Sequence, residues 1–283
     1  MFRKLFLLSA TVMLLMTLNT AAHADAFMLG QAADYTVLGS QSVILNQGNV
    51  NGNVGIGGGN GSLLKSTVNG NVLIAPGASP DIHDQDFIVN GQILRDQNLT
   101  GAINDAQAAS ARLASMTATQ SFGSITGDLV IMSSGGTNVI AVNSIDINGG
   151  SLTLTGGATD RFIFNVASDF QLSHAQIILS GGLTADNLIF NFSNTGSEIK
   201  FNKADTVVFG TILAPFRDIE VKDTGLVLTG AVIGQNLVIH SGAQVNGGGA
   251  PPSAPVPEPA TMLLLGTGLA GIAAKVRRRH KTS

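Results

Sequence analysis

The chain has no cysteine and no tryptophan, and a single tyrosine, Tyr35. Without thiols it has no disulfides and no thiolate zinc site, so packing and backbone hydrogen bonds must hold the fold. Charge is sparse too: Asp, Glu, Lys and Arg make up 12% of the residues. Seven of the 15 basic residues sit at the two ends (Arg3, Lys4, Lys275, Arg277, Arg278, Arg279, Lys281). Between Asp25 and Gly249, 8 basic residues face 17 acidic ones, a net charge of −9. Nucleic-acid binding needs a basic footprint to neutralise phosphates, and this body has the opposite sign. The same sign disfavours acidic polysaccharide and anionic lipid.

Catalytic signatures are missing as well. There is no Gly-x-Ser-x-Gly elbow, no phosphate loop ending in Gly-Lys-Ser/Thr and no His-Glu-x-x-His. The histidines of the body are His83, His174 and His240. A carbohydrate-active enzyme would need carboxylates gathered in one groove, and no motif marks such a group. The expectation is a protein that is not an enzyme and carries no cofactor. The one dense polar cluster holds Asp81, His83, Asp84 and Asp86, a weak candidate for a divalent cation. It lacks the spacing of a calcium loop, and a solvated loop after Pro80 is the competing reading.

The ends are informative. Arg3 and Lys4 precede an apolar run from Leu5 to Leu18, and Ala22-His23-Ala24 supplies small residues at −3 and −1 of a cleavage point. This is a secretory signal over residues 1–24, with signal peptidase as the expected partner; a first transmembrane helix is the alternative. At the other end, 250–255 is a Gly/Pro linker. Val256-Pro257-Glu258-Pro259 follows, then an uncharged, mostly apolar segment at 260–274, then a tail with Arg277, Arg278 and Arg279. The apolar segment is short of the roughly 20 residues of a spanning helix, and the basic tail holds its end on the cytoplasmic side.

Residues 256–283 resemble the PEP-CTERM sorting signal of Gram-negative bacteria. That resemblance implies a temporary inner-membrane anchor, an exosortase-type protease as partner and a final place at the cell surface or in the extracellular matrix. A plain tail anchor is the alternative.

Between the ends, 35 glycines punctuate short Val/Ile/Leu runs. Val50-Asn51-Gly52-Asn53-Val54 returns as Val68-Asn69-Gly70-Asn71-Val72, with partial copies at Val89-Asn90-Gly91 and Val245-Asn246-Gly247 and a looser relative at Thr126–Ile131. Asn-Gly tolerates positive φ and marks a sharp turn. A hairpin meander and a β-solenoid both use such turns. Repetition at one-coil spacing favours a right-handed solenoid over residues 25–249. Strands around Phe164, Phe190 and Phe209 would stack aromatics in its core. Around 98–117 glycine gives way to alanine, and Leu99, Ala102, Ala106, Ala109 and Leu113 recur at helical spacing. One amphipathic helix is expected along the solenoid flank.

This combination, with Tyr35–Gly39, Val50–Gly59 and Gly210–Ala214, is similar to the choice-of-anchor A family of surface proteins and to ice-binding-like domains. The resemblance implies an exported adhesive or structural protein associated with biofilm and exopolysaccharide. Ice binding by a flat solenoid face is the alternative, although no threonine ladder is visible.

Overall fold

A computed structural model describes residues 27–83 and 86–247. The signal segment, Asp84, the sorting motif and the apolar segment 260–274 lie outside the described residues. The chain divides into two units, residues 1–249 and 250–283, and the first holds everything that follows.

Period-2 patterning sets the architecture. Ile145 and Ile147, Phe170 and Leu172, Ile199 and Phe201, Ile219 and Val221, and Leu237 and Ile239 are buried, while Asp146, Gln171, Lys200, Glu220 and Val238 point outward between them. Every paired strand runs parallel to its neighbours. The strands stack as a three-sided β-solenoid of about nine turns. Long strands such as Thr137–Thr155 and Phe170–Ser180 bend round corners and serve more than one side. The core is one continuous apolar column closed by aromatic packing. Phe164 stacks on Phe190 at 5.0 Å, and Phe170 meets Phe190, Phe192 and Phe201 edge-on or tilted at 5.2–5.5 Å. Phe209 departs from the expected column: Phe190 aligns with Ile212, and Phe209 points out of the neighbouring side, only half-buried.

The coils do not stack in chain order. Val37–Asn46 lies between Val232–His240 on one side and the strands Val54–Ile56 and Ser62–Leu64 on the other. The chain therefore starts mid-stack, builds one arm out to Ile93–Leu94, and reappears at the far tip with Gln120–Ile125 before winding back. Helix α1, Thr100–Ala114, lies on this crossing. It is shorter than the expected 98–117, and the Ser115 N–H closes its last turn on Ala111.

The corners correct the reading of Asn-Gly. Gly70 and Gly91 do not have positive φ. What they need is room: a Cβ on Gly70 would lie 2.3 Å from the Gly52 carbonyl oxygen, and one on Gly91 2.3 Å from that of Gly70. Successive backbones touch there, so only glycine fits. Gly52, in the first copy, does have positive φ (140°), and at a different corner Gln47, Lys65, His174, Lys203, Asp223 and Ser241 adopt it without being glycine. Thr126–Ile131 is not a copy of the echo in space, since its strand aligns Val130 with Thr153.

Candidate functional site

The three sides differ in what they offer a partner. On the first, the outward residues Leu38, Val139, Ile163, Ile189, Leu213 and Ile233 are buried beneath Ala102, Ala106, Ala109 and Leu113 of α1. Polar ties fix the helix in place. Ser110 Oγ donates to Asn191 Oδ1 (2.6 Å), Asn191 Nδ2 donates to Asn165 Oδ1 (2.8 Å), and Asn165 Nδ2 donates to the Leu113 carbonyl (2.9 Å). The apolar stripe is spent on the solenoid, so this side is closed.

The second side is charged. Asp146, Lys200, Glu220, Lys222 and His240 project from it, with Lys200 3.4 Å from Glu198 and His240 Nε2 2.9 Å from Glu220.

The third side is open, and its outward row is uncharged. Its outward row begins at one tip with Val130, 64% exposed, and continues through Thr153 and Ile178, with Met132, 69% exposed, beside it. Gln176 aligns with Val207, which brings Phe209 beside Ile178, and Phe209 then aligns with Thr229 and Thr229 with Asn246. From there the row changes chemistry. Asn51 Nδ2 donates to Asn246 Oδ1, Asn69 Nδ2 to Asn51 Oδ1, and Asn90 Nδ2 to Asn69 Oδ1. The four copies of the Val-Asn-Gly echo thus form one asparagine ladder. A carboxamide has two donor hydrogens and two acceptor lone pairs. The ladder uses one of each at Asn51 and Asn69, and these exposed side chains keep the rest facing outward.

A groove of about 390 Å³ opens where the two halves of the row meet. Leu179, Leu183 and Phe209 give it an apolar floor, and Thr184, Thr229 and Asp186 give it polar edges.

Titratable groups outside this side form pairs. His174 Nδ1 is 2.6 Å from Asp205, and this hydrogen bond holds the Asp205 carboxyl below the usual carboxylate range. His83 Nε2 is 3.1 Å from Asp81. Among the described residues, no three of His, Asp and Glu gather into a cation-binding group. Of the cation candidates, the side chains of His83 and Asp81 are in contact, Asp86 meets His83 through its backbone N–H on the His83 carbonyl (3.1 Å), and Asp84 lies outside the described residues.

The sequence reading missed Arg217. It is 2% exposed and forms no salt bridge with a carboxylate among the described residues. Instead Nε donates to the Asn194 carbonyl (3.0 Å), and the guanidinium reaches the carbonyls of Ser168 and Ala167 and the Asn194 side chain. It lies over the Phe192 ring at 5.3 Å. Burial pulls its pKa below the ordinary value, opposed by Asp169. A lone arginine in sequence carries no sign of this.

Residues 21–247 match the ice-binding-like adhesive domain family. The chain belongs to that family. Residues 255–279 match the PEP-CTERM protein-sorting motif, which covers Val256, Pro257, Glu258 and Pro259 and marks an exported surface protein handled by an exosortase-type system. No curated protein matches. Solved structures with this fold include an ice-binding protein from the Antarctic ascomycete Antarctomyces psychrotrophicus, at 20% identity and TM-score 0.56, covering 78% of this chain and 98% of that one. An ice-binding protein from an Antarctic biological consortium matches at 19% identity and TM-score 0.58, covering 82% of this chain and 95% of the other. The ice-binding protein 1 domain of Shewanella frigidimarina matches at 15% identity and TM-score 0.53, covering 77% and 96%. At these identities the likeness is one of fold.

Proposed function

We propose that this family member is a non-enzymatic surface adhesin that uses the open side of its solenoid. The observation that carries the reading is the contrast between sides: one is covered by α1, one is charged, and the third is an uncovered sheet whose outward row is uncharged. Contiguous exposed apolar surface on a soluble module marks an interaction site. The delivery steps belong to the same proposal. Signal peptidase cuts after Ala24, the segment 260–274 anchors the chain briefly in the inner membrane, and the exosortase-type protease releases it at Val256–Pro259 to the envelope or matrix of a Gram-negative bacterium. The test compares surface attachment and biofilm by cells making the full chain, cells lacking it, and cells making Ile178→Lys with Val130→Lys. Attachment that survives both changes removes the reading.

Ice binding is the second reading. Thr153 lies between Val130 and Ile178 in the row, with Thr155 and Thr229 on the same side, so hydroxyls and methyl groups alternate on a surface able to hold ordered water. Thermal hysteresis and recrystallisation assays on the purified full chain decide it, and the absence of both effects ends it.

A further inference from the structure

We infer that the groove at Phe209 and Thr229, together with the asparagine ladder beside it, is a binding site for a neutral glycan. The inference rests on the adhesive reading and names the ligand class of that same side.

Charge is the first argument. The exported body is strongly acidic, with 17 acidic residues against 8 basic ones between Asp25 and Gly249. Yet the outward row from Val130 to Asn90 carries no ionisable side chain in any coil. The row is free of charge, with Asp186 the one carboxylate lining the groove, while the adjacent side holds Lys200, Glu220, Lys222 and His240. A polyanion would meet an acidic body with the Asp186 carboxylate at the groove edge and no cation at the contact, and a polycation would find that single carboxylate and none along the row. The complementary partner is uncharged.

The second argument is amphipathic matching. A pyranose ring has apolar C–H faces and a rim of hydroxyls. The groove offers Phe209, Leu179 and Leu183 to the first and Thr184 and Thr229 to the second. Its volume of about 390 Å³ falls within the few-hundred-Å³ range of small-ligand sites. Beyond it, Asn51 and Asn69 each present an unused N–H and an unused lone pair at the strand spacing of roughly 4.8 Å. Hydroxyls accept and donate in kind, so a chain of sugars leaving the groove along the ladder finds paired groups at each coil. An apolar peptide would leave these amides unsatisfied, which is costly.

The test is affinity electrophoresis of the purified full chain in gels containing a soluble β-1,3-glucan, a β-1,4-glucan or dextran, with alginate as the acidic comparison. The expected result is retardation by at least one neutral polymer and none by alginate. Phe209→Ala and Asn69→Asp should each weaken it by about tenfold, or about 1.4 kcal/mol, while Lys222→Ala on the charged side leaves it unchanged. Thr229→Val keeps the side-chain shape and serves if either variant misfolds, as judged by circular dichroism. No retardation by any neutral polymer, equal retardation by alginate, or indifference to the groove variants overturns the assignment. If the side variants abolish cell attachment but no glucan binds, the glycan assignment falls and the adhesive reading stands. If glucans bind and attachment is unaffected, the reverse holds.

Discussion

Asn51 and Asn246 are 195 residues apart in the chain and are joined by a side-chain hydrogen bond at the seam between the first and last coils. Their strands align directly, Val50 with Val245. Asn51→Ala removes this bond and the one that Asn51 accepts from Asn69, and should cost about 2 kcal/mol, roughly 1 for each. Asn51→Asp keeps an acceptor for Asn69 but sets a carboxylate oxygen against the Asn246 oxygen, so it too should be destabilising. Urea unfolding of both variants and of the double change with Asn246→Ala measures the coupling. Additive effects would mean that the bond contributes nothing.

Glycine at the touching corner is required by distance. On Gly70 an added Cβ would meet the Gly52 carbonyl carbon at 2.4 Å and its oxygen at 2.3 Å. Backbone cannot swing aside as a side chain would. Gly70→Ala is expected to lose about 3 kcal/mol or more, among the large single-site effects. Gly127 has nothing within 4 Å of its Cβ position, and Gly127→Ala should stay within about 0.5 kcal/mol of the parent. Similar midpoints for the two variants would refute this account of the corner.

Arg217 links the loops of three coils by donating to carbonyls at Ala167, Ser168 and Asn194. Arg217→Met fills much of the space but leaves those oxygens without donors. We expect a loss of about 3 kcal/mol, read as a lower thermal midpoint with the circular dichroism spectrum unchanged. A midpoint equal to that of the parent would show that water replaces the guanidinium.

Asp160, like Asp205, is an acid-sensitive carboxylate. The backbone N–H of Gly157 (2.9 Å) and of Gly136 (2.8 Å) donate to it, and with Ser133 they hold its pKa below the usual value of 3.8. A carboxyl depressed in the folded state stabilises above its unfolded pKa, and that stabilisation fades as pH falls through the folded one. The Tm gap between the parent and Asp160→Asn should thus be largest near neutrality and shrink below about pH 4. A gap independent of pH would exclude the mechanism.

Much of the fold was legible because period-2 patterning and the Val-Asn-Gly echo are local signals that stacking preserves. The helix was legible for the same reason: Ala102, Ala106, Ala109 and Leu113 mark one face. Phe209 was misplaced because a coil length cannot be read from aromatic spacing when corner loops differ: Phe190 aligns with Ile212, so the coil there is three residues longer than the step to Phe209. The stack order was hidden for a deeper reason. The pairing of Val37 with Val232 leaves no trace at either position, since both are simply buried valines. The open side follows from that order, and so the candidate site could not be drawn from sequence.

The mid-stack start has a consequence for export. A chain threaded outward amino end first delivers Val37–Asn46 long before Val232–His240 has crossed. Until then one flank of that first coil has no neighbour, and its unpaired amides can take up other strands. Completion waits for nearly the last described residue, and pairings between such distant segments form slowly. The module should therefore close like a clasp, all at once and late, which makes whatever keeps the early coils apart during transit part of the protein's working environment.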